Sequence, residues 1–493
     1  MTVTPGGIKS RALRLAMWAQ RRSHVIPMPL RQLGGRALRR YGGGSQPTNG
    51  PGEDWSVPLV AGRGKGDLET LPFLPGAIDG SMPVPTVTAP RLRCVVATGV
   101  LDVGGAEEFA ASLSRELPRH GYDVTVVYAD TRLPGQVGDG GRLVRSLTDA
   151  GIATKHLTPG SVRQWLSAYR PDVISAHYAP DFMLDVAAEL EIPWVETLHG
   201  MHMFFHPDSW EPERERARAI SAQIAVSDLV RRQYLVRNPD YDPDRIITIP
   251  NGLDQSRAAT VDRAKARAML GLTDEFLFVS LARYCLQKNT YGLVSAFAEL
   301  SVADPNAHLL VAGRAADDML YFEQTQQLLR ILPGADRIHL RGHCANPTAL
   351  LAAADGFVQD SFFEGWSLAS MEALLAGLPV VLSDVGGARE QLGGDDQRRG
   401  YLVGNPGADA ELVDWRVITD VRFRPQANRA ELIAAMTSVV RDRADWAARR
   451  AQLRKEAHQL FPHDVCVGRH ADVLRSVATG AAVPSVMPEV DHV

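Results

Sequence analysis

The sequence predicts an α/β protein made of two doubly wound domains, each built on a parallel sheet. Three observations predict it. Short apolar, β-branched runs alternate with stretches whose apolar residues recur at helical spacing. The alternation comes as two series, 92–227 and 275–383. A turn-rich connector containing Asn-Gly, IPNGLD (249–254), separates them. Strand–helix alternation of this kind gives parallel sheets with right-handed crossovers.

The first series opens with LRCVVA (92–97), a buried parallel strand. TGVLDVGG follows as a loop and AEEFAASLSREL (106–117) as a helix. DVTVVYA (123–129), DVISA (172–176), PWVETL (193–198) and QIAVS (223–227) are the next strands. The second series runs through EFLFVSLA from 275, a helix from Tyr291, HLLVAG (308–313), IHL (338–340), GFV (356–358) and PVVLS (379–383). Such sheets bind ligands in the loops at the carboxyl ends of their strands. Candidate residues are therefore sought there.

Composition narrows the field. The chain has 493 residues, 45% hydrophobic and 22% charged, which is globular. Two or three domains are expected, large enough to need no disulfide or metal staple. A net charge of −4 and a pI near 6.4 supply no field that selects nucleic acid. Cys94, Cys285, Cys344 and Cys466 form no CxxC pair. That excludes a disulfide scaffold and a zinc ribbon and fits a reducing compartment. No apolar run approaches the ~18–20 residues of a membrane span. No hydrophobic signal segment opens the chain. A cytoplasmic protein is expected.

The charge is uneven. Residues 1–50 hold nine basic residues and no Asp or Glu, so the −4 of the chain divides into +9 here and −13 beyond. Residues 41–90 are rich in Gly, Pro and Ser. That composition is expected to leave 1–90 as a disordered basic arm and linker. The arm suits peripheral contact with the anionic inner membrane face, at ~1 kcal/mol per basic residue. A helix over 9–22 does not separate the charges from Leu13, Met17 and Trp18, so a solvated tail is the plain alternative.

Four strand-end loops carry chemistry. Gly104 and Gly105 open the first helix; paired glycines let backbone approach a phosphate, and the helix start offers free N–H groups. A tight turn explains them equally well, and the loop lacks the GxGxxG pattern of NAD sites. Arg283 and Lys288 follow the strand at 275; a planar fork and a point charge five residues apart suit a diphosphate, against ordinary surface charge. Glu364 lies in a loop and Glu372 in the helix behind it, with Ser367 a candidate cap. The loop carboxylate can accept hydrogen bonds from hydroxyls and the helix carboxylate can take a ribose diol, where either alone reads as a solvated helix residue. His199 ends the strand at 193–198, where it can donate to a hydroxyl or act as acid or base. With His202 and His206 it allows a metal site, but no carboxylate completes a known motif.

In this order these residues resemble the retaining glycosyltransferases of family 4, which have the GT-B fold. The resemblance rests on GGAE (104–107), HG (199–200), AVS (225–227), IPNGLD, Arg283 with Lys288, the E-x7-E pair Glu364 and Glu372, and GGAREQL (386–392). It covers about 92–475. It implies two Rossmann-like domains facing a cleft, an acceptor domain over 91–250 and a donor domain over 251–460. A helix over 461–480 would cross back to the first domain, leaving a tail over 481–493. The implied donor is a nucleotide-sugar. Arg283 and Lys288 would hold its diphosphate, with Gly104 and Gly105 close by. Glu372 would hold the ribose, and Glu364 the donor sugar, with Gly365, Trp366, Ser367 and Leu368 beside it. The loop at Asp384–Gly387 would lie near the donor. His199 would touch the sugar near the reacting carbon. Ala282, Asn289 and Trp366 depart from the family's usual residues without removing a charge.

The chemistry agrees with those roles. Two cations and helix N-termini can take up the charge that grows on a leaving diphosphate, so neither metal nor cofactor is required. Retention by front-face attack needs no covalent nucleophile. The basic arm favours a lipid-linked glycan as acceptor, in cell-surface polysaccharide or glycolipid synthesis. Two alternatives remain: a sugar-nucleotide epimerase on the same fold, and a non-catalytic scaffold of a polysaccharide assembly.

Overall fold

A computed structural model describes residues 55–60, 62–64, 66–74, 90–102, 104–129, 141–202, 210–252, 261–315, 319–393 and 399–484. The expectations for 1–50 and for the end of the tail lie outside these residues.

The two series form two separate parallel sheets. The first has seven strands: β1 (Leu92–Thr98), β2 (Tyr122–Tyr128), β3 (Ala153–His156), β4 (Val173–His177), β5 (Trp194–Leu198), β6 (Ala222–Ala225) and β7 (Ile246–Thr248). Their order is β3-β2-β1-β4-β5-β6-β7, and every pairing is parallel. The second has six: β8 (Phe276–Leu281), β9 (Ala307–Ala312), β10 (Ile338–Arg341), β11 (Gly356–Gln359), β12 (Val380–Ser383) and β13 (Gly400–Val403). Their order is β10-β9-β8-β11-β12-β13, again all parallel. The strand order reverses between β1 and β4 and between β8 and β11. Those reversals open the crevices where such sheets bind ligands. The fold is GT-B.

The central strands are buried on both faces, which is why they read as unbroken apolar runs: β4 and β9 have no exposed residue. Three strands went unread: β3, β7 and β13. β3 is an edge strand, ATKH, with no buried residue, so it lacks the apolar signal. The other two are edge strands of three and four residues.

The expected linker needs correction. Trp55, Leu59, Leu68 and Leu71 are buried and belong to the core of the second domain. The indole of Trp55 donates to the His343 carbonyl at 3.1 Å. Leu59 N donates to Leu270 O at 2.8 Å, and Asn346 Nδ2 to Leu71 O at 3.2 Å. Arg63 pairs with Glu275 at 2.6 Å. Average composition hides this strap because four spaced apolar side chains suffice once helices Arg263–Met269 and Pro347–Ala353 supply the groove. Trp55→Ala is expected to destabilise the second domain by about 3–5 kcal/mol, the usual cost of truncating a buried aromatic. Calorimetry would show the second-domain transition falling; an unmoved transition would mean that the strap contributes no stability.

The last helix, His463–Thr479, packs on the first domain. Val467, Ala471, Val473 and Leu474 share a core with Val96, Phe109 and Leu113. Tyr122 Oη donates to Ala471 O at 2.6 Å, and Ser112 Oγ lies 2.9 Å from His463 Nε2. No helix among the described residues is long and apolar enough to cross a membrane.

Candidate active site

The strand ends of both sheets face one cavity of about 1600 Å³ between the domains. At its floor the two domains touch backbone to backbone, through an antiparallel bridge between Gly200 and Gly365. Only glycine fits at 365. A Cβ there would lie 1.9 Å from the His199 carbonyl oxygen. Gly386, at φ +48°, packs against the other side of the same loop, and Gly387 N donates to Gly365 O at 2.9 Å.

The second domain supplies a cationic wall. Arg283, Lys288 and Arg314 line it. Tyr284 is fully buried, and its hydroxyl donates to Val311 O and Arg341 O, which anchors the loop and leaves its neighbour Arg283 exposed. Lys288 ends a short 3-10 turn, Leu286–Lys288. Buried Asn289 (φ +48°) follows; its side-chain amide donates to Asp360 at 2.8 Å and fixes that turn. Lys288 Nζ reaches Glu364 Oε1 at 2.5 Å. Gln359 Nε2 donates to the same oxygen at 2.8 Å. Glu364 is thus buried, charge-paired and held from two strand ends.

Ser367 caps the helix Leu368–Leu375, accepting from Ser370 N at 3.3 Å, and its own hydroxyl donates to Gln359 Oε1 at 2.7 Å. Gly365, Trp366, Ser367 and Leu368 line the cavity; Trp366 is buried, edge-on to Phe461. Glu372 is not brought together with them. It sits one turn beyond Leu368 on the same helix face, half-buried and behind the cavity lining.

The first domain supplies the opposite wall. Gly104 and Gly105 start the helix Gly105–Glu116 at the cavity. Glu107 folds back over this helix start and hydrogen-bonds its own backbone amide; burial raises its pKa, Glu108 adds to the rise, and Arg283 across the cleft opposes it. His199 Nε2 lies 2.8 Å from His177 Nδ1, and His177 Nε2 lies 3.1 Å from Ser175 Oγ. Phe109 packs against His177, His199 and His470, the last from the final helix. Arg216 binds Glu196 at 2.7 Å and Asp181 at 2.8 Å.

Among the described residues, His199 and His202 belong to no group of metal-ligating side chains. His199 spends a nitrogen on His177. His202 is half-buried and packs against Trp210 and Tyr234. His206 lies outside the described residues. Among the described residues, no three His, Cys, Asp or Glu side chains converge as ligands. Sequence reading missed His177, Tyr178, Gln359 and Arg314. His177 and Tyr178 lie directly after DVISA, so the strand-end rule, applied two residues further, reaches both.

The buried histidines set a pH dependence. Burial lowers His199, His339 and His470 to about 3 and His202 to about 4, and lowers His177 well below its usual value. The unfolded chain protonates them near pH ~6.5. Their stabilisation is therefore full above that pH and is lost as pH falls through it. Asp360 and Glu213, raised to about 7 by burial, act oppositely between pH ~4 and 7, but they are fewer. The melting temperature is expected to drop between pH 7 and 5. Both ring nitrogens of His470 lack a partner among the described residues. His470→Phe should therefore flatten the slope; an unchanged slope would remove His470 from this account.

The chain was compared with known proteins. The family model Glycosyltransferase Family 4 matches residues 103–257, and Glycosyl transferases group 1 matches 262–419. D-inositol 3-phosphate glycosyltransferase of Frankia alni is 27% identical over 415 residues, 75% of this chain and 98% of the relative. Phosphatidyl-myo-inositol mannosyltransferase of Mycobacterium leprae is 26% identical over 370 residues, 71% and 92% of the two chains. Among solved structures, a glycosyltransferase from Rickettsia africae superposes with a TM-score of 0.64 at 16% identity, covering 79% of this chain and all of that one. HepE of Anabaena, crystallised with UDP and glucose, gives 0.61 at 20% identity, covering 78% of this chain and all of HepE.

Proposed function

Since the chain belongs to the group 1 glycosyltransferases of family 4 and is a sugar-transferring enzyme, we propose that it takes the sugar from a nucleotide-sugar and transfers it with retention, without a metal. The observation that carries this is the buried Lys288–Glu364 pair beside Arg283, facing the helix start at Gly104–Gly105. In the proposed reaction the diphosphate lies between Arg283, Lys288 and the amides at that helix start. Negative charge grows there as the sugar–phosphate bond breaks, and preorganised cations in a closed cleft stabilise it. Glu107 now covers those amides and would swing aside. His199, kept neutral by burial, offers the sugar a hydrogen bond rather than a charge. Glu372 is proposed for the ribose, one turn further along the helix.

HepE, crystallised with UDP and glucose, supports a nucleotide donor here. The acceptor is proposed to be a glycan. Its attachment to lipid follows only from the basic arm, as does contact with the inner membrane face.

The test supplies UDP-, GDP- and ADP-sugars in EDTA and follows nucleoside diphosphate release, with NMR of the product anomer. One base should support release in EDTA, and the product should keep the donor's configuration. An inverted product would overturn retention, and activity restored only by a divalent cation would overturn the metal-free reading.

A further inference from the structure

Ser175 and His177 lie on one face of β4, and Ser175 pairs with Val195 of β5. Side chains alternate along a strand, so the same face receives His199, just past the end of β5. The result is a chain of three polar groups. Ser175 Oγ lies 3.1 Å from His177 Nε2, and His177 Nδ1 lies 2.8 Å from His199 Nε2. Ser175 and His177 are fully buried. Phe109 packs against both imidazoles and fixes their planes. His199 ends the chain at the cavity, which it lines, with Nδ1 as its remaining nitrogen.

Protons can occupy this chain in two ways. Burial keeps both imidazoles neutral, so each carries one proton. In the first arrangement the Ser175 hydroxyl donates to His177 Nε2, His177 Nδ1 donates to His199 Nε2, and the His199 proton sits on Nδ1. In the second, every bond reverses. His199 Nε2 donates to His177 Nδ1, and His177 Nε2 donates to Ser175 Oγ. The Ser175 proton then needs another acceptor. Among the described residues that hydroxyl has no partner but His177. A buried donor left without an acceptor costs its full desolvation. The first arrangement leaves no such donor. A mixed arrangement would set two bare nitrogens, or two N–H groups, face to face.

We propose that Ser175 and His177 are positioning residues that hold His199 with its proton on Nδ1, so that His199 donates a hydrogen bond to an oxygen of the transferred sugar. The assignment rests on the sugar-transfer reading above, in which His199 touches that sugar. The tautomer of an imidazole is set by the bond its other nitrogen makes, and here a serine on a central strand sets it through His177. Neither Ser175 nor His177 is among the described residues that line the cavity; both act through His199. The assignment also decides between two roles that the sequence leaves open. A nitrogen that already carries a proton cannot take one from the attacking hydroxyl, so His199 is a hydrogen-bond donor and not a general base.

The tautomer can be read without turnover. Proton–nitrogen NMR of the full chain, with isotope-labelled histidine and the His199 signals assigned by their loss in His199→Asn, should show Nδ1 protonated and Nε2 bare. Ser175→Ala deletes the terminal hydroxyl and should give a mixture of both tautomers. Its kcat for nucleoside diphosphate release should fall about fivefold, the share of one hydrogen bond, with KM for the nucleotide-sugar unchanged. Ser175→Thr keeps a hydroxyl and should restore both readings. His177→Phe should show the same mixture and the same loss. A merely structural serine would lower the melting temperature in Ser175→Ala without moving the tautomer. A wild-type His199 protonated at Nε2, a Ser175→Ala spectrum equal to wild type, or an unchanged kcat in Ser175→Ala where His199→Asn is slow would overturn the proposal. Wild-type release by His199→Asn would instead strike the reading that His199 touches the sugar and leave the tautomer result standing.

Discussion

Lys288→Ala is expected to lower kcat by about 10²–10³, the usual loss when a group that stabilises transition-state charge is removed. It should also lower stability. Lys288 and Glu364 are 16% and 8% exposed at their side chains, and removing one partner leaves the other charge buried without compensation. Breaking such a pair costs about 3–5 kcal/mol. The two effects separate in the double variant Lys288→Ala/Glu364→Ala. It should recover much of the stability, because no lone charge remains, and none of the rate. Denaturation and steady-state kinetics on the three variants form a cycle that measures the coupling directly. If the double variant regained activity, the pair would shape the second domain's wall of the cleft without acting on the donor.

Gly365→Ala is expected to reduce kcat/KM by about 10² with little change in either domain's own stability. The added Cβ would lie 1.9 Å from the His199 carbonyl oxygen and 2.8 Å from Gly200 Cα. Both are backbone atoms, so no flexible side chain can yield. The two loops must separate, and a displacement of about 1 Å in a catalytic cleft can cost about 10² in rate. At Gly200 the nearest atom to an added Cβ is the Tyr178 hydroxyl at 3.2 Å, a movable group. Gly200→Ala should be the milder of the two. Equal rates for Gly365→Ala and wild type would show that the bridge at the cleft floor does not set the working geometry.

Much of the architecture was legible because central parallel strands must be apolar on both faces. LRCVVA and HLLVAG announce themselves for that reason, and the strand-end rule then located Arg283, Lys288, Glu364 and His199 in one cavity. What stayed hidden lacks a local signal. β3 is solvated, so nothing in ATKH marks it. The strap at 55–74 reads as a linker until a groove from residues two hundred positions away is supplied. The Lys288–Glu364 contact joins β8 to β11, and the His177–His199 contact joins β4 to β5. No spacing rule along the chain encodes either. Glu372 shows the converse: its place in a sequence pattern does not put it in the cavity lining.

Each end of the described chain docks on the domain it does not belong to in sequence. The strap at 55–74 lies on the second domain, and the helix His463–Thr479 completes the core of the first. This has a consequence for synthesis. The first domain's last strand, β7, ends at Thr248, yet its core needs Leu474. At about 5–20 residues per second, roughly 10–45 s pass between the two. Through that interval the apolar face of β1 and of the helix behind it lacks its cover, and until Ala353 is made the strap has no groove to enter. The two halves cannot mature one after the other on the ribosome. A nascent chain halted near residue 260 should bind holdase chaperones and be cut readily by protease, and only release of the full chain should end both.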